Sequence, residues 1–161
     1  MKLKAILSVS LLLAVAAVLP QRVLASAATK VDLVQDVASG GVGTLDMLGP
    51  TGYGFVNFNQ NANGDLRITV SLKNAEPNTT YQGVFLVCGP THASACGYVD
   101  AGDLTTNGQG NGNAILKLSV AVLQASPFGP GYRTDHFDLL KGVGDDSAGV
   151  YVAGGVNYIV P

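Results

Sequence analysis

Asp65-Leu-Arg-Ile-Thr-Val-Ser-Leu-Lys73 alternates apolar and polar side chains from end to end. Leu66, Ile68, Val70 and Leu72 fall on one side of an extended chain, and Arg67, Thr69 and Ser71 fall on the other, which is the period of a half-buried β-strand. The stretch before it, Tyr53-Gly-Phe-Val-Asn-Phe-Asn59, has the same character. The link Gln60-Asn-Ala-Asn-Gly64 ends in Asn-Gly, so the two stretches are expected to pair as an antiparallel hairpin. Lys73-Asn-Ala-Glu-Pro-Asn-Thr79 then turns the chain. Thr80-Tyr-Gln-Gly-Val-Phe-Leu-Val-Cys88 is apolar on both sides in its second half, as a strand covered on both faces would be.

The pattern continues toward the C-terminus. Gly102-Asp-Leu-Thr-Thr106 and Ala114-Ile-Leu-Lys-Leu-Ser-Val120 flank the polar, glycine-dense link Asn107-Gly-Gln-Gly-Asn-Gly-Asn113 and read as a second hairpin. Residues 124–134 hold Pro127, Gly129, Pro130 and Gly131 and are expected to form a crossing loop. Asp135–Leu140, Gly149–Ala153 and Val156–Val160 supply further short strands. The expected fold is all-β: one antiparallel β-sandwich of about seven or eight strands over residues 51–161. In residues 26–50, Val31, Leu33, Val34 and Val37 suit an edge strand and a short amphipathic helix equally.

The N-terminus is of another kind. Lys2 and Lys4 precede an apolar run from Ala5 to Leu19, and Val23-Leu24-Ala25 offers the small residues at which signal peptidases cut. The run is shorter than the ~20 apolar residues of a spanning helix, and Pro20, Gln21 and Arg22 end it. Residues 1–25 therefore read as a cleaved signal peptide. The protein is expected to be secreted, extracellular or periplasmic, with no membrane span in its mature chain. Cleavage leaves 136 residues, and the formal charge moves from -2 to -5 because six basic residues then face eleven acidic ones. The remaining cations are scattered singly along the sequence, which argues against nucleic acid as a partner.

In an exported chain the only two cysteines, Cys88 and Cys96, are expected to form a disulfide holding residues 89–95. The two histidines are His92, inside that loop, and His136, beside Asp135 and Asp138. These four are the candidate metal ligands, although the sequence has no His-x-His or His-Glu-x-x-His spacing. Asn59, Asn61, Asn63, Gly64 and Asp65 imitate a calcium loop, but the twelfth place is Val70 rather than a glutamate, and a hairpin turn accounts for every residue. Asp145-Asp146 is a second acidic pair, expected in a solvated turn.

Catalytic patterns are missing from the sequence. It has no Gly-x-Ser-x-Gly elbow, nothing selects Ser94, His136 and Asp138 as a triad, and Glu76 is the sole glutamate, so paired-carboxylate chemistry has one partner too few of that type. No enzyme activity and no cofactor are expected.

Gly52-Tyr-Gly-Phe-Val-Asn-Phe-Asn59, Leu66-x-Ile-x-Val-x-Leu72, Pro77-Asn-Thr-Thr-Tyr81 and Val150-Tyr-Val152 resemble the strand layout of secreted CHRD-like β-sandwich domains of bacteria. That family is immunoglobulin-like in shape and mostly uncharacterised in activity. The resemblance spans residues 50–155 and implies a secreted β-sandwich. The chain departs from the family at its His-x-His pair, having only His92, so no functional residue is carried over. The expected function is a secreted binding or structural module that contacts an extracellular protein, carbohydrate or copies of itself. One alternative is a metal-binding protein using His92 and His136. Another is a small inhibitor presenting loop 89–95.

Overall fold

The computed structural model describes residues 28–36, 48–88, 96–125, 129–141, 148–156 and 158–160. The expected signal peptide, His92, Ser94 and the Asp145-Asp146 pair lie outside the described residues, as do the side chains of Cys96 and Asp135. The described chain forms eight strands: β1 (Thr29–Asp36), β2 (Leu48–Gln60), β3 (Leu66–Leu72), β4 (Thr80–Cys88), β5 (Cys96–Thr105), β6 (Gly112–Leu118), β7 (Arg133–Lys141) and β8 (Ala148–Gly154). One short helix, α1 (Val120–Ala125), follows β6. Among the described residues no helix is long and apolar enough to cross a membrane.

All strand pairs are antiparallel, as the alternating sequence predicts, but they do not divide into the two sheets of a sandwich. They form one sheet in the order β5-β4-β7-β8-β1-β2-β3-β6, and its end strands β5 and β6 approach each other, nearly closing a barrel. The residues responsible are in β1. This strand pairs with β2 from Thr29 onward and with β8 at Val34 and Gln35, with register shifts between Asp32, Val34 and Asp36. Such irregularities bend a strand and let it serve two parts of a sheet, so hydrogen bonding runs through what would have been a gap between sheets. Residues 29–36 are thus an interior strand, neither an edge strand nor a helix. Around the near-closed barrel, β7, β4, β5 and β6 follow the spatial order of a Greek key.

Two further differences are local. Residues 120–125 form α1, with Leu123 fully buried. The expected strand at Val156–Val160 is reduced to a single bridge between Ile159 and Arg133. Backbone bonds still tie the segment to the start of β7, Thr134 N donating to Tyr158 O and Val160 N to Tyr132 O at 2.9 Å each, while Tyr158 N donates to Thr134 Oγ1 at 3.0 Å.

The barrel interior is filled. Leu66, Ile68, Val70 and Leu72 all turn inward, as their spacing requires. At the centre the rings of Phe58, Phe85 and Phe137 meet edgewise or tilted, with centroids 5.3 to 5.9 Å apart, the separation at which aromatic pairs add to simple burial.

Two connections share one design. In the β2–β3 turn Asn61 Oδ1 accepts hydrogen bonds from the N–H groups of Asn63 and Asp65, while Asn61 N donates to Asp65 O. In the β5–β6 turn Asn107 Oδ1 accepts from Gln109 and Asn111, and Asn107 N donates to Asn111 O. The fourth residue is a positive-φ glycine in each, Gly64 and Gly110. An asparagine side chain is here satisfying backbone groups of a five-residue turn. Asn61→Ala and Asn107→Ala are each expected to cost about 1–2 kcal/mol in urea unfolding. The double variant should lose close to the sum, because the turns share no residue.

Candidate functional site

β7 alternates between two environments. Phe137 and Leu139 point into the barrel core, so His136, Asp138 and Leu140 occupy the opposite face, yet His136 and Asp138 are only 1 % and 2 % exposed. Their spacing of two residues on one strand sets them side by side. His136 Nε2 lies 3.3 Å from Asp138 Oδ2. Across the sheet the registers build two rows: Tyr98, Leu86, His136 and Gly154 in one, and Asp100, Val84, Asp138 and Val152 in the other. The dyad is thereby flanked by apolar Leu86 and Val84 on β4, with Tyr98 and Asp100 beyond them on β5.

Tyr98 is 39 % exposed. Partial burial, and secondarily the negative charge of Asp138, push its hydroxyl up to about 12. Tyr158, whose hydroxyl donates to Gly64 O at 2.7 Å, is raised to about 12 by burial and then by Asp65. In the unfolded chain both titrate near 10. Between those values the native state holds protons that the unfolded state has lost, so this contribution is complete below pH ~10 and disappears as the pH rises to about 12. Unfolding midpoints should fall across that interval. Tyrosinate absorbance should rise together with loss of the native circular dichroism.

The other sequence candidates are placed as follows. Cys88 and Cys96 are direct cross-strand partners of β4 and β5. Opposed antiparallel residues have Cα atoms about 4.5–5.5 Å apart, within the span of a disulfide. The calcium-like loop is the Asn61 turn: Asp65 Oδ1 accepts from Val120 N at 2.9 Å and its Oδ2 accepts from Asn61 Nδ2 at 3.2 Å. Those bonds, the backbone one first, hold the Asp65 carboxyl below the usual carboxylate range. Glu76 forms a half-exposed ion pair with Lys141, an arrangement that contributes little to stability. Among the described residues no three histidine, cysteine or acidic side chains come together as a metal cluster.

Sequence reasoning missed Tyr98, and it missed the cluster of Tyr53, Tyr81 and Tyr151, whose rings meet tilted or edgewise with centroids 4.8 Å (Tyr53–Tyr151) and 5.7 Å (Tyr81–Tyr151) apart. Burial, and then Tyr81, hold the Tyr151 hydroxyl far above its ordinary range. The tyrosines come from separate strands, and only the registers unite them. No family model, no curated protein and no solved structure matches the chain.

Proposed function

We propose that this is a secreted, non-catalytic binding or structural module that works through its outer surface. The observation supporting this reading is the packing of the interior: the Phe58, Phe85 and Phe137 rings fill the barrel centre, so partners meet strand faces and loops. The signal-like residues 1–25 support a partner outside the cell. Its test is retention of the labelled, purified protein on cell-envelope polysaccharide and protein. Saturable retention supports the reading, and a protein that is monomeric and retained by neither fraction refutes it.

The metal reading is the second, favoured by the contact between His136 and Asp138. It requires close to one metal per chain in protein purified without a histidine tag, and less than ~0.1 per chain would sink it. The inhibitor reading draws on the cross-strand placement of Cys88 and Cys96 around loop 89–95. On that reading, protease inhibition should vanish on reduction. With Cys88 and Cys96 joined as the sequence predicts, reduction should lower stability by roughly 2–3 kcal/mol in urea unfolding, the chain-entropy value for so short a loop.

A further inference from the structure

Strands β1, β2, β3 and β6 lie side by side. Since Leu33, Val56, Phe58, Ile68, Val70 and Leu116 turn into the core, the alternate positions look outward and gather three of the six basic residues that follow residue 25. Lys30 stands opposite Asn57, Asn57 opposite Thr69, Asn59 opposite Arg67, and Arg67 opposite Lys117. Lys30, Asn59, Arg67 and Lys117 are all exposed.

The Arg67–Lys117 pair is the informative one, because like charges directly opposite each other destabilise a sheet. The acid nearest in sequence does not offset it: Asp65 is engaged by Val120 N and Asn61 Nδ2. The β1 acids are no nearer: Asp32 is set opposite Phe55 and Asp36 opposite Leu48 at the far end of the strand, both two strands from Arg67. The Lys30 ammonium rests 4.2 Å above the Phe55 ring. Across the barrel seam, β5 carries exposed Asp100 and Asp103, so a chain that is acidic as a whole presents one locally cationic wall.

We propose that this wall binds an anionic polysaccharide, a proposal that rests on the binding-module reading above. Arg67 supplies a planar fork suited to carboxylate or sulfate and Lys117 a point charge, while the exposed Asn59 amide and the half-buried Thr69 hydroxyl suit sugar hydroxyls. The other anionic partners fit less well. An anionic membrane calls for a broad apolar face, and among the described residues the large exposed apolar side chain on these strands is Ile115 alone. Single-stranded nucleic acid calls for open aromatic platforms, and Phe55 is capped by Lys30.

The experiment compares retention of the purified protein on alginate, on neutral dextran, on anionic phospholipid vesicles and on an oligonucleotide. Saturable binding to alginate is expected, weakened by salt, and about tenfold weaker in Arg67→Gln/Lys117→Gln. Arg133→Gln, which changes an exposed cation on β7, should leave it unchanged. The double variant should melt no lower than wild type, since it removes a like-charge pair, so a loss of binding cannot be put down to unfolding. The proposal is overturned if alginate binding survives the double variant, or if vesicles or the oligonucleotide are preferred. It is also overturned if alginate is ignored while envelope material is still retained, and in that case the binding-module reading stands. If nothing at all is retained, both fall.

Discussion

Gly54→Ala is expected to destabilise the barrel by more than about 4 kcal/mol, the range reserved for severe single substitutions. Gly54 lies in β2 at φ 103°, a conformation that L side chains rarely adopt, and a Cβ added there would stand 1.8 Å from the carbonyl oxygen of Ser71. That oxygen is backbone of β3, the strand to which β2 is paired residue by residue from Gly54 to Gln60, so relief requires the two strands to part. Gly52 is the control. Its φ is 106°, but nothing lies within 4 Å of the added Cβ, so Gly52→Ala should cost only the backbone term of about 1–3 kcal/mol. Equal losses in the two variants in urea unfolding would contradict the close approach of β2 to β3.

Asp138→Ala should lower stability by about 3 kcal/mol or more, because it leaves His136 buried without the carboxylate beside it. Replacing both residues by leucine should recover most of that loss, since a buried polar pair is commonly matched by apolar side chains of similar volume. Double-mutant unfolding measures this directly. If the pair served a metal instead, Asp138→Ala would strip metal from the protein and leave the stability of the metal-free chain nearly unchanged.

How much of this was legible in the sequence varies with the kind of constraint. The β2–β3 hairpin could be read because Leu66, Ile68, Val70 and Leu72 alternate without fault and Asn63-Gly64 marks the turn. β1 could not, because the register shifts at Asp32, Val34 and Asp36 break its alternation, leaving a pattern that a helix fits as well. The same two-residue ladder from Val34 and Gln35 to β8 joins the strands into one sheet, and local sequence carries no trace of so brief a contact. Val156–Val160 has the composition of a strand, but its pairing stops at the Ile159–Arg133 bridge, where Tyr158 N turns to a threonine hydroxyl. At the site, His136 and Asp138 were readable as neighbours from their spacing. Their relation to Tyr98 depends on two registers through β4, and the like-charged Arg67 and Lys117 meet only through the pairing of β3 with β6.

The central claim is that the outer surface, and not the buried His136–Asp138 pair, carries the function. The direct measurement is retention of wild type and His136→Asn on cell-envelope polysaccharide, with both proteins verified as folded. Equal, saturable retention is the expected result. Retention that is absent in both, or lost with His136→Asn alone, would contradict it.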